Sequence, residues 1–261
     1  MRVLLTNDDG IHAPGLMALY EELRGDFEID VVAPETEMSA VGHAITLAFP
    51  LRVQSVRKNG SFFGHGVTGT PADCVKIAVH ELLKRPPDVI LSGINPGANV
   101  GVNVLYSGTV SAATEGAFFG IKSAAISLNV RKNPDFKFAA RFSREIIRFM
   151  MAHGLKNGAA LNVNIPAVPA SKIGGVTITR QGIGRFKGSY ERRVDPRGNV
   201  YYWLTAETPV EEEQPGTDAR ALRENRITIT PINYDLTCVE EMERLRTCSL
   251  PEYRHLEMGK G

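Results

Sequence analysis

Cysteine is scarce in this chain: Cys74, Cys238 and Cys248 are the only three in 261 residues, widely spaced and without a Cys-x-x-Cys pair. That argues against a disulfide framework or a cysteine zinc cluster, and all three are expected to be structural thiols. Net charge is almost absent as well, at +1. Such a chain has no general attraction for polyanions, so small-molecule substrates are expected rather than a stable nucleic-acid or membrane complex. Nowhere do about eighteen apolar residues run together, and no basic or long apolar leader precedes the first strand pattern; the expectation is a cytoplasmic protein. Internal repeats and low-complexity linkers are lacking too. What is present is ordinary for a globular protein, 43% hydrophobic and 23% charged residues, with length enough for one large core and an appendage.

The chain is organised around its first ten residues. Val3, Leu4 and Leu5 form a short apolar run suited to a strand buried on both faces, and TNDDG at 6–10 must leave the sheet as a turn. Asp8 and Asp9 have no lysine or arginine nearby in sequence. Two like charges held together raise one another's pKa unless a positive charge lies between them. A bound divalent cation and a solvated capping turn are the two readings of that pair.

Farther on, Leu16, Leu19, Tyr20 and Leu23 recur at helical spacing behind Pro14, and 27–33 is strand-like up to Pro34 and a polar loop bearing Ser39. Residues 44–66 read as an irregular insertion or edge hairpin. Pro71 opens a helix, 88–92 is a buried strand, and 93–101 is a Gly- and Asn-rich loop that places Asn95 just past the strand end. A helix entered through Ser107, a strand at 124–128, a long amphipathic helix at 135–153 and a strand at 161–165 follow. This alternation predicts an α/β fold, a doubly wound three-layer α/β/α sandwich of Rossmann-like type. From residue 173 the texture changes. Arg185, Lys187, Arg192, Arg193 and Arg197 cluster around Tyr190 and ahead of the aromatic run 201–203, predicting a β-hairpin arm used for oligomerisation. Residues 211–213 predict a solvated acidic loop, and a strand at 226–232, a helix at 239–246 and a polar tail end the chain.

In doubly wound folds ligands collect beyond the carboxyl ends of the strands. Asp8 and Asp9, Ser39 and Asn95 each fall there. Two carboxylates, a hydroxyl and an amide carbonyl favour a hard cation, Mg²⁺ or Mn²⁺, over zinc. Ser107, Gly108 and Thr109 at a helix start offer hydroxyls, backbone N–H groups and the positive end of the helix dipole, a phosphate site or an ordinary cap. Asn7 either orients a ligating carboxylate or is a turn residue, and His12 and His43 are lone histidines left out of the catalytic set.

The segments NDDGIHAPG at 7–15, VAP at 32–34 with Ser39 and Gly42-His43, GTPADCV at 69–75, SGINPGAN at 92–99 and YSGTV at 106–110 resemble the SurE family of stationary-phase survival proteins over nearly the whole chain. That resemblance implies one SurE-like unit over 1–261, with an α/β core at 1–170 and an oligomerisation region at 171–261. It implies a metal-dependent phosphatase acting on nucleoside 5′- and 3′-monophosphates, with short polyphosphate as a further substrate, assembled as a homodimer or homotetramer. Asp8 and Asp9 would then be the catalytic pair, Asp8, Asp9, Ser39 and Asn95 the ligands of one divalent ion, and Ser107 to Thr109 the phosphate cradle. Val102-Asn103 and Lys122 depart from the family's pattern, where an acidic residue and a proline are expected.

Three rival enzymes or switches fail on particular residues. A phosphoryl-accepting receiver needs an aspartate at the end of a central strand, where Ser92 stands; zinc deacetylases need histidine partners for the Asp pair. A P-loop needs its second glycine adjacent to the lysine, and 116–123 has an extra residue there. A nucleotide sensor using the same rim is the non-enzymatic alternative, and turnover separates the two.

Overall fold

Val3, Leu4 and Leu5 are fully buried in β1 (Arg2–Thr6), the apolar run expected of a strand covered on both faces. The computed structural model describes residues 1–130, 132–184, 186–209 and 213–251. After β1 come α1 (Pro14–Leu23), β2 (Glu28–Pro34), β3 (Val53–Lys58), β4 (Ser61–Val67) and α2 (Pro71–Ile77). The chain continues through β5 (Val89–Pro96), α3 (Gly108–Phe118), β6 (Lys122–Asn129), α4 (Lys137–His153), β7 (Ala159–Pro166) and β8 (Val176–Ile178). It ends with β9 (Phe186–Val194), β10 (Val200–Pro209), α5 (Asp218–Arg223), β11 (Ile227–Asn233) and α6 (Val239–Arg246).

Nine strands form one sheet in the order β3-β4-β2-β1-β5-β6-β7-β11-β8, parallel from β4 to β7, with β3 antiparallel to β4 at one edge, β11 antiparallel to β7, and β8 parallel to β11 at the other edge. Side chains alternate between its faces. Val3, Leu5 and Leu91 join the core under α1 and α4, and Leu4, Val32 and Ile90 join the core under α2. The helix spacing explains the covering: α4 buries Ala139, Ala140, Ser143, Ile146, Ile147 and Met150 on one stripe. The doubly wound α/β/α fold is the one the alternation predicts, and the separate β9–β10 hairpin is the arm expected beyond residue 173.

The strand order reverses between β1 and β5, and ligands of doubly wound sheets gather at that point. There β1 pairs with both β2 and β5, with Thr6 opposite Ser92. The loops carrying Asp8 and Asp9, and Ser39, and the end of β5 carrying Asn95, therefore lie at one edge of three adjacent strands.

Several details differ from the sequence reading. β5 does not stop at Ser92 but runs on to Pro96 through an irregularity between Gly93 and Asn95, so Asn95 belongs to the strand end rather than to the loop. Residues 53–67 resolve as the edge hairpin, turned at Asn59-Gly60 with positive φ at both residues, the geometry of a tight hairpin turn. Cys74 is buried, and burial pushes its thiol pKa up, but Cys238 and Cys248 are exposed and are not packing thiols. Glu213 is not simply solvated; it pairs with Arg223 at 2.8 Å. Arg185, the Lys187 side chain, Glu211, Glu212 and the tail from residue 252 lie outside the described residues.

Candidate active site

Asp8 is buried, 5% exposed, directly after β1. Its Oδ1 accepts a hydrogen bond of 2.5 Å from the Thr109 hydroxyl, in the first turn of α3. Burial pushes the Asp8 carboxyl up; the bonds from the Thr109 hydroxyl and backbone pull the other way without cancelling it. Gly108 explains how the helix comes so near. A Cβ there would stand 2.7 Å from Asp8 Cβ, 3.0 Å from its Oδ2 and 3.1 Å from Pro71. Only a residue without a side chain lets the α3 terminus close on the carboxylate. Gly108→Ala is accordingly expected to displace Asp8 and to lower catalytic turnover about tenfold or more, because small misplacements at a reacting centre are costly; steady-state kinetics on folded protein checks it.

Asp9 is half-buried, and its carboxyl is pushed up to about 7, first by burial, then by the neighbouring charge of Asp8, then by Glu37. Three carboxylates thus crowd one edge of the sheet. Glu37 also accepts the Ser39 hydroxyl proton at 2.6 Å, which leaves the Ser39 oxygen lone pairs uncommitted. Asn95 donates its amide N–H to the Gly97 carbonyl at 2.8 Å, leaving its carbonyl oxygen as the other hydrogen-bonding atom. Asp8, with Thr109 on Oδ1, retains Oδ2. Each of these side chains is held by one atom with an oxygen in hand, the arrangement in which outer partners orient ligands of a cation.

The donor set fits a hard divalent ion: all oxygen, two carboxylates, and raised pKa values that an adjacent positive charge would relieve. Among the described residues no cluster of three His, Cys, Asp or Glu has metal-ligand geometry. Ser39 and Asn95 would have to complete such a set.

Ser107 caps α3, its Oγ accepting from Val110 N at 3.1 Å, which leaves the hydroxyl proton to donate. Thr109, expected to face a phosphate, instead gives its hydroxyl to Asp8. Asn7 donates to Gly10 O at 3.0 Å across its own turn, the turn-residue arrangement, and its buried Oδ1 has no hydrogen-bond partner among the described residues.

The model of the family described as "Survival protein SurE" matches residues 3–188. The chain belongs to the SurE family. It is 53% identical over 261 residues to the 5′-nucleotidase SurE of Syntrophus aciditrophicus (strain SB), covering 100% of this chain and 98% of that one. Against the 5′-nucleotidase SurE of Syntrophobacter fumaroxidans the identity is 54% over 245 residues, covering 94% and 98%. Among solved structures, the SurE protein from Aquifex aeolicus superimposes with a TM-score of 0.82 at 37% identity, covering 94% of this chain and 98% of that one.

Other groups at this SurE rim escaped the sequence reading. Glu37 had a signal, an acid two residues before Ser39. The hydrogen-bonded group of His43, Glu115 and Lys76 had none for its pairing, since its members are 39 and 72 residues apart: His43 Nε2 lies 2.7 Å from Glu115 Oε2, and Lys76 Nζ lies 3.3 Å from Oε1.

Proposed function

We propose that this chain is a divalent-cation-dependent phosphomonoesterase that hydrolyses nucleoside 5′-monophosphates to nucleoside and phosphate. Nucleoside 3′-monophosphates and short-chain polyphosphate are further substrates of the same site in this reading. The observation that carries it is the junction of Asp8 with the N-terminus of α3: a buried carboxylate for a cation stands against a helix start suited to phosphate. The name 5′-nucleotidase SurE, borne by relatives of this chain at about half identity over its length, supports the substrate class.

Asp8, Asp9, Ser39 and Asn95 would hold one Mg²⁺ or Mn²⁺ per subunit. Such an ion, when bound, withdraws charge from a phosphoryl oxygen and lowers the pKa of a water. Asp8 and Asp9 then serve as fixed ligands, with Thr109 keeping Asp8 in register, so water rather than a carboxylate is the nucleophile. Ser107 donates its hydroxyl to a phosphoryl oxygen, and the α3 N-terminus stabilises charge growing on the equatorial oxygens. A bond forms from water oxygen to phosphorus, the bond to the nucleoside oxygen breaks, and the proton released by water passes to the leaving hydroxyl.

Assembly is assigned to the C-terminal region. Tyr202, Trp203 and Leu204 on the arm, and Val239 and Leu245 on α6, are exposed, apolar faces suited to a second copy in a homodimer or homotetramer. No helix among the described residues is long and apolar enough to cross a membrane; a cytoplasmic site of action is part of the proposed reading. The test is phosphate release from a panel of nucleoside 5′- and 3′-monophosphates, simple phosphomonoesters and short polyphosphate with Mg²⁺ or Mn²⁺. Turnover of the 5′-monophosphates is the expected result; nucleotide binding without turnover of any member would make the rim a sensor.

A further inference from the structure

A cavity of about 510 Å³ opens beside Ser107, within the range of about 300–1,000 Å³ usual for small-molecule sites. Its walls mix apolar Leu105, Ile232 and Tyr234 with polar Ser111, Gln181 and His43. Ser107 lines it and Asp8 and Asp9 do not, so it adjoins the Ser107 end of the site; the carboxylate on its wall is that of Asp235. His43 reaches this wall because Gly42 N donates to Tyr106 O at 3.0 Å, tying the loop after Ser39 to the turn that leads into α3.

We propose that this cavity receives the nucleoside of the substrate, and that His43, oriented by Glu115, selects for it by accepting a hydrogen bond at Nδ1 from a sugar hydroxyl or a base amino group. The inference rests on the nucleotidase reading above. Its chemical basis is the pairing of His43. Burial alone would raise the Glu115 carboxyl, but hydrogen bonds and charge from His43 and Lys76 together outweigh it and hold the group below its ordinary value. An ionised carboxylate only accepts, so the imidazole nitrogen facing it, Nε2, carries the hydrogen. In the neutral ring Nδ1 is then an acceptor, with a fixed tautomer and a ring pinned at 2.7 Å. Lys76 takes the other carboxylate oxygen and keeps Glu115 from turning. Nothing in the hydrolysis itself uses these three groups.

The experiment compares kcat/KM for adenosine 5′-monophosphate and for p-nitrophenyl phosphate, which has no hydroxyl or N–H to offer Nδ1, on the same sample of cation-loaded protein. Taking the ratio of the two cancels any loss of folded protein. His43→Ala is expected to lower the nucleotide-to-aryl ratio at least tenfold, mainly through KM for the nucleotide. Glu115→Gln is expected to do the same, because an amide N–H facing Nε2 moves the ring hydrogen to Nδ1 and turns the acceptor into a donor. A ratio within threefold of wild type in His43→Ala overturns the proposal, whether or not both activities fall. A ratio lowered in His43→Ala alone overturns the role given to Glu115. Wild-type protein that cleaves the aryl ester but ignores the nucleotide would instead remove the nucleotidase reading.

Discussion

Asp8→Asn and Asp9→Asn are each expected to lower phosphate release from a nucleoside monophosphate by about a thousandfold, without unfolding the protein. The first half follows from charge. A bound cation contributes several kcal/mol to stabilising the reacting phosphoryl group, and about 4 kcal/mol corresponds to about a thousandfold in rate. Removing one of the two carboxylates proposed to hold that ion forfeits most of that. The second half follows from burial. Asn keeps the volume of Asp, its carbonyl oxygen can still accept the Thr109 hydroxyl, and the substitution removes a carboxylate that burial and like charge already disfavour. Circular dichroism and a thermal melt beside the kinetics separate the two halves. Either variant retaining a tenth of wild-type activity would mean that its carboxylate does not carry the chemistry.

Stability of the cation-free protein is expected to fall as pH rises from about 4 to about 7, the ordinary and shifted values of Asp9. The sign follows from proton counting. Between those values the folded protein holds a proton on Asp9 that the unfolded chain has released, so raising pH draws the equilibrium toward the unfolded state. Asp8, also raised, acts in the same direction. Glu115 is lowered and acts oppositely, adding stability above its unfolded value and losing it on acidification, so its influence is confined to the acid end of the range. Partial exposure of Asp9 makes the decline shallower than its full shift would give. Saturating Mg²⁺ or Mn²⁺ should remove the decline by supplying the missing positive charge and adding binding free energy to the folded state. Melting temperatures across that pH range, with chelator and with cation, in wild type and Asp9→Asn, check this. A flat profile in chelated wild type, or an equal decline in the variant, would contradict the electrostatic account of the pair.

Much of this was legible in the chain, and for physical reasons. Short buried runs such as Val3 to Leu5 have one use in an α/β protein, and strand-helix alternation leaves few ways to wind the sheet. Asp8, Asp9, Ser39 and Asn95 could be placed on one edge because each follows or ends a strand. Contacts across the fold were not legible. Thr109 looks in sequence like a free donor at a helix start; only the approach of Gly108 to Asp8 shows that its hydroxyl is already engaged. Asn95 looked like a loop residue because Gly93 and Pro96 signal a turn, yet pairing with β6 carries the strand past Gly93 and on to Pro96. The His43 and Glu115 pair depends on a loop and the second turn of α3 meeting, which periodicity cannot report.

The most direct measurement is phosphate release from adenosine 5′-monophosphate by chelated protein as Mn²⁺ is added back. The account predicts no turnover before addition and a saturating recovery at one ion per chain, lost in Asp9→Asn. Undiminished hydrolysis in chelator, or protein that binds the ion and the nucleotide yet releases no phosphate, would contradict it.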